Sequence, residues 1–237
     1  MDAETLRLVE RAIARHGGER WSRIEAIELP VLALSGFLPW LKGYPRSFGL
    51  PRIVRIDPVR VRAAFVDYPR PGEQGVFDRG RVALGPAEPV EHRASFSGAG
   101  RRRQWSALDA LYFFGYALTH YHSLPWRLRD AEVLAVGPTR QSGATHALTV
   151  RFPRTVHTHS AVQTIYFAED GLIVRHDYVA EVISPFAQGA HLWLDYVEVK
   201  GIPIATHRRV LTRIGRQTLP LVALDARLGT PVIESGR

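Results

Sequence analysis

The chain of 237 residues contains no cysteine, one methionine, and only Lys42 and Lys200 as lysines. Without cysteine, a disulfide framework, a thiolate zinc site and a cysteine nucleophile are excluded together. Any metal would have to be held by histidine and carboxylates, and neither His120-Tyr121-His122 nor His157-Thr158-His159 has a carboxylate at a recognisable ligand spacing. On a strand the second pair would place both rings on one face, but no metal is expected. Long apolar runs are missing too: the nearest, Ala107 to Leu118, falls short of the ~18 residues of a membrane span and is strongly aromatic. There is no Gly-x-Ser-x-Gly, no phosphate-cradling glycine loop and no dinucleotide fingerprint, so hydride and phosphoryl transfer are disfavoured and no cofactor is expected. The start, Met1-Asp2-Ala3-Glu4-Thr5, is acidic, whereas a secretory leader opens basic and continues with ~7–15 apolar residues. That points to the cytoplasm, or to the periplasm if a leader has been removed.

What is present is the composition of an ordinary globular protein, 46% hydrophobic and 23% charged. A chain of this length can bury roughly 70–75% of its unfolded surface without crosslinks, so a single domain over 1–237 is expected. The net charge of +8 is carried almost wholly by arginine. The arginines are scattered, with Arg101-Arg102-Arg103 the one triple, and do not make the concentrated basic patch of a nucleic-acid binder. No nucleic-acid partner is expected.

Periodicity gives an α+β chain, mainly antiparallel. Leu6, Val9 and Ile13 lie at helical spacing in an amphipathic N-terminal helix ending at Gly17-Gly18. Ile24 to Leu34 reads as a strand interrupted at Pro30, an edge or a bulge. Residues 36–51 form a Gly/Pro-rich loop carrying Phe37, Leu38, Trp40, Leu41, Tyr44 and Phe48, able to touch a membrane surface or to close over a ligand. Val59 to Phe65 alternates as a strand, and short hairpin strands follow near Gly75–Asp78, Arg81–Leu84 and Pro89–Arg93. Ser106-x-x-Asp109 resembles a capping box opening a helix over Leu108–His122, ended by Pro125. That helix is apolar on nearly every side and should be buried. Thr145–Phe152, Ala161–Phe167, Leu172–Ile183, Leu192–Val199 and Ile202–Ile214 read as sequential strands of one antiparallel sheet, with turns at Asp170-Gly171 and Lys200-Gly201.

Strand alternation says which polar side chains face the apolar side. His146 is in phase with Leu148, Val150 and Phe152; His176 with Leu172, Val174, Tyr178, Ala180 and Val182; His191 with Trp193, Asp195, Val197 and Val199. Arg175, Asp177 and Glu181 point the other way. His120 lies one helical turn from Tyr116. Ionisable rings converging on an apolar interior fit a small-molecule cavity. The candidate ligand-binding residues are Tyr112, Tyr116, His120, His146, His159 and Trp193. If chemistry occurs, His176, Tyr178, His191 and Asp195 are the candidate acid–base group, because histidine titrates near neutrality.

Two blocks also carry a resemblance. Asp170-Gly171-Leu172-Ile173-x-Arg175-x-Asp177 followed by Asp195-Tyr196-Val197-Glu198-Val199-Lys200-Gly201-Ile202-Pro203-Ile204 resembles the paired strands of the LolA-like superfamily of bacterial lipoprotein carriers. The opening, His16-Gly17-Gly18-x-x-Trp21-x-x-Ile24, is similar to uncharacterised bacterial proteins of the same architecture. The likeness spans residues 12–35 and 145–214. It implies an incomplete, half β-barrel whose concave face is closed by helices, with Leu108–His122 as a plug, and holds an acyl chain or another apolar ligand. The function expected is therefore binding of a small hydrophobic or acyl-type ligand, in a cavity of ~300 Å³ or more. The alternative is a cofactor-independent isomerase, cyclase or hydrolase acting on a hydrophobic substrate in the same cavity.

Overall fold

In the computed structural model, residues 1–44, 48–98 and 103–236 are described. Residues 45–47 of the 36–51 loop and Arg101-Arg102 of the arginine triple lie outside that range. The N-terminal helix α1 spans Ala3–Arg15, its first turn capped by the Asp2 carboxylate, which accepts from the Thr5 amide at 2.8 Å. It buries Thr5, Leu8, Val9, Ala12 and Ile13, while Leu6 faces water, so the apolar stripe is rotated from the expected one.

The strands are β1 (Ile24–Ser35), β2 (Ile53–Asp57), β3 (Arg62–Val66), β4 (Gln74–Asp78), β5 (Arg81–Leu84), β6 (Val90–Glu91), β7 (Glu132–Pro138), β8 (His146–Arg151), β9 (Val162–Phe167), β10 (Ile173–Val179), β11 (Gln188–Val199), β12 (Ile202–Ile214), β13 (Gln217–Leu228) and β14 (Val232–Ser235). They make one open antiparallel sheet in the order β6-β5-β4-β3-β2-β1-β13-β12-β11-β10-β9-β8-β7, with β14 beside β1. Long β1 joins the halves: one edge pairs with β2, and the other pairs first with β14 and then, past a register shift after Val31, with β13. The expected interruption at Pro30 is absent there, since Pro30 pairs in register with Ile53; the bulge lies just beyond it, between Val31 and Ala33, within one continuous strand.

Several boundaries differ from the sequence reading. The expected Val59–Phe65 strand begins only at Arg62, because residues 58–61 turn from β2 into β3 with Val61 at φ 59°. The Leu172–Ile183 strand stops at Val179, where the amides of Ile183 and Ser184 both fold back onto the Ala180 carbonyl. Strands β2, β7, β13 and β14 were not anticipated. At the β11–β12 hairpin, Lys200 and Gly201 both have positive φ, 52° and 76°, the signature of a tight primed turn.

Helix α3 (Ala107–Arg127) fills the concave face and packs on β2 to β5. Its start is the expected capping box: Ser106 and Asp109 exchange hydrogen bonds, and the buried Asp109 carboxylate also accepts from His92, Ser95 and Arg103, each at 2.8 Å. The helix runs past Pro125, which lacks an N–H only in the last turn, where Trp126 stacks on Trp21 at 4.2 Å. Polar residues inside it are satisfied locally: Thr119 Oγ1 donates to Gly115 O, and Ser123 Oγ to Thr119 O, both at 2.8 Å. Gly115 is required for close approach, since a Cβ there would lie 2.5 Å from Phe77 on β4. Helix α2 (Phe37–Leu41) lies on β13, with Gly36 against the Ala223 backbone. Among the described residues no helix is long and apolar enough to cross a membrane.

Candidate ligand-binding site

Four histidines meet beneath α3: His120 from the helix, His159 from the loop before β9, His176 from β10 and His191 from β11, none more than 2% exposed. His176 and His191 are direct partners across β10 and β11. Gln163 on β9 ties the group together. Its amide nitrogen donates to Ser160 O at 2.7 Å and to Thr158 Oγ1, so its oxygen must face His120 Nε2, at 3.1 Å, and His176 Nε2. Both rings then carry hydrogen on Nε2, leaving Nδ1 of each without a partner among the described residues. His159 is held between two phenols, Tyr116 on Nδ1 at 2.8 Å and Tyr121 on Nε2 at 2.6 Å, and stacks on Tyr178 at 4.1 Å.

Burial decides the charge of this cluster. It lowers the pKa of His120 to about 3 and pushes those of His159, His176 and His191 well below the ordinary value, with neighbouring histidines and Arg208 adding to the effect at His176. The rings are neutral at pH 7. The same burial raises the phenols of Tyr116 and Tyr121 well above theirs.

Beside the cluster opens a cavity of about 180 Å³, between α3, α2 and strands β1 and β11 to β13. Its walls are Phe113, Leu118, Leu34, Val54 and Leu224 among other apolar groups, and its polar contributors include Tyr121, Tyr178, His191, Arg208 and Thr212. Phe37, Leu38, Tyr44 and Leu50, from the described parts of the 36–51 segment, line the cavity. Phe37 and Phe186 form its exposed rim, at 39% and 86%. The space is smaller than expected from sequence, because the aromatic rings of α3 occupy much of the concavity.

Two solved structures resemble the chain along nearly its whole length. A DUF1329 family protein from Desulfovibrio piger superposes with a TM-score of 0.51 at 13% identity, over 98% of this chain and 94% of that one. The LolA superfamily protein NE2245 from Nitrosomonas europaea gives 0.48 at 8% identity over the same shares. The chain shares the overall fold of the DUF1329 family protein. No protein-family model and no curated protein matches the sequence.

Within this open antiparallel sheet the sequence candidates separate into groups. Tyr178 and His191 reach the cavity wall; His120, His159, His176 and Tyr116 lie behind it as the hydrogen-bonded layer just described. Trp193 sits beyond them against Arg208. Tyr112 lies one helical turn before Tyr116 on the same face of α3, packed between Phe77, Phe96 and Tyr116 and away from the cavity wall.

Two candidates do not join the cluster. Asp195 was placed with His191 by alternation, but its φ of 50° breaks the alternation of β11. Tyr196 turns inward to donate to Ile173 O at 2.6 Å, and Asp195 points outward to His207 and Arg227. His146 keeps its phase but stands at the strand end, half-buried near Glu4, Arg7 and Arg11 of α1. On β10 a register shift before Arg175 puts Ile173, rather than Val174, on the inner face. His157 packs near Phe77 and does not share a face with His159.

Sequence reasoning missed Tyr121, Gln163 and Arg208. Two of them, Gln163 and Arg208, carried a signal. Gln163 is in phase with Ile165 and Phe167 on β9, and Arg208 with Ile202, Ile204 and Val210 on β12, so both are polar residues in apolar stripes.

Proposed function

We propose that the chain binds a small, mainly apolar molecule in the cavity between α3 and strands β11 to β13. The observation that carries this is a nearly all-apolar wall in the concave face with a few polar groups at one side, the usual form of a small-molecule site. At about 180 Å³ the space suits one small apolar molecule. Tyr178 and His191 touch the ligand; Tyr116, His120, His159 and His176 hold the wall in shape from behind. Phe37 and Phe186 on the rim let the protein collect such a molecule from a membrane surface or another apolar donor.

Of the candidate acid–base group, only Tyr178 and His191 reach the cavity wall. The described cavity wall contains no Asp or Glu, and burial holds both groups in their neutral forms. Binding is the reading the geometry favours.

Titration with the neutral dye N-phenyl-1-naphthylamine tests it. A saturable fluorescence rise at one dye per chain, reversed by 1-decanol, is expected. No saturable rise contradicts the proposal.

A further inference from the structure

Among the described residues two arginines are only 4% exposed, Arg175 and Arg208, and the fold treats them differently. Arg175 is closed by a carboxylate: its Nε and Nη2 donate to the two oxygens of Asp177 at 2.7 and 3.0 Å. Arg208 has no ion pair among the described residues, and its Nε and Nη1 have no acceptor. The flat face of its guanidinium rests on Trp193, 3.8 Å from the ring centroid. Its position on β12, in phase with Val210 and Thr212, puts it on the cavity wall.

A buried, uncompensated charge is costly, and proteins keep one when something else neutralises it. Burial lowers the pKa of Arg208 to about 10, which leaves it a cation at neutral pH. Around it stand Trp193, Tyr121, Tyr196 and His191, all uncharged at neutral pH. No other lysine or arginine lines the described cavity. One cation matches a singly charged head rather than a phosphate dianion, and guanidinium geometry suits a carboxylate.

We propose that Arg208 anchors the carboxylate of the bound molecule, so that the ligand class is a single-chain carboxylic acid whose tail lies along the apolar wall. This rests on the cavity-binding proposal above. It adds a head group and an orientation: head toward β12 and Trp193, tail toward Phe37 and Phe186.

The experiment is calorimetric titration at pH 7.5 with decanoate and with 1-decanol, equal in chain length and different in charge. The native protein should bind decanoate at least ~10-fold more tightly, the scale of one charge-assisted pair. Arg208→Met should erase that preference while leaving 1-decanol binding within about twofold. Equal affinity for acid and alcohol in the native protein overturns the anchor and leaves the cavity proposal standing, as does a preference that survives in Arg208→Met. If neither compound binds the native protein, the cavity proposal falls and the anchor falls with it. The native comparison decides the matter even if the variant does not fold.

Discussion

Trp193 and Arg208 face each other across β11 and β12, and the indole ring forms the floor on which the guanidinium lies. The pair solves only half of the problem that a buried cation poses. A cation over an aromatic face gains roughly 0.5–2 kcal/mol, while the desolvation of an ion with no counter-charge costs several.

Arg208→Met, which keeps the apolar stem and removes the charge, is therefore expected to stabilise the ligand-free protein by about 1–2 kcal/mol. Urea unfolding of both proteins after removal of bound ligand checks this. A loss of more than ~1 kcal/mol would mean that the charge supports the fold rather than a ligand, contrary to the trade of stability for function described here.

The histidine cluster makes acid sensitivity a quantitative expectation. Burial depresses His16 to about 4, His120 and His122 to about 3, and His159, His176 and His191 well below the ordinary value. In the unfolded chain these rings take up protons near pH ~6.5, while in the folded chain they stay neutral, so the unfolded state binds more protons as pH falls. Stability is full above ~6.5 and declines below it by about 1.4 kcal/mol per pH unit for each ring. With a total stability of roughly 5–15 kcal/mol, unfolding is expected between about pH 5 and 6, above the ~4 at which carboxylates protonate. Circular dichroism across pH 8 to 4 reads the midpoint. A chain still folded at pH 4.5 would show that the rings are not held neutral.

Gln163 is the keystone of the layer behind the cavity, because one side chain satisfies His120, His176, Ser160 and Thr158. Gln163→Leu keeps the volume and strands two buried N–H groups and a carbonyl. The expected cost is about 3 kcal/mol in urea unfolding. Dye affinity should fall as the His176–His191 wall loosens. A variant as stable as the parent would place the network's strength elsewhere.

How much was legible in the sequence depends on whether a residue's phase is set by its own strand. His176 and His191 face each other where Arg175–Val179 pairs regularly with Gln188–Leu192, and alternation placed both inside. The same arithmetic failed at Asp195 and Val174, because a positive φ and a register shift each reverse the phase, and neither leaves a mark as plain as a glycine. The plug helix was readable from its capping box and lack of a polar face, and its end was misread because a proline in a last turn removes little. β13 begins at Gln217 and carries Pro220, so it did not look like a central strand, yet it lies between β1 and β12. Arg208 was hidden by its own kind: among so many scattered arginines, only its phase with Ile204 and Val210 distinguishes it.

The central claim is that an apolar molecule occupies the concave cavity, and blocking that space tests it most directly. Ala226 on β13 lines the cavity and is only half-buried, so a larger side chain can enter without disturbing the core. Ala226→Trp is expected to keep the native circular-dichroism spectrum and to weaken N-phenyl-1-naphthylamine binding at least ~10-fold, the loss of about 1.4 kcal/mol. Unchanged dye affinity in a folded Ala226→Trp protein would place the ligand somewhere else and contradict the claim.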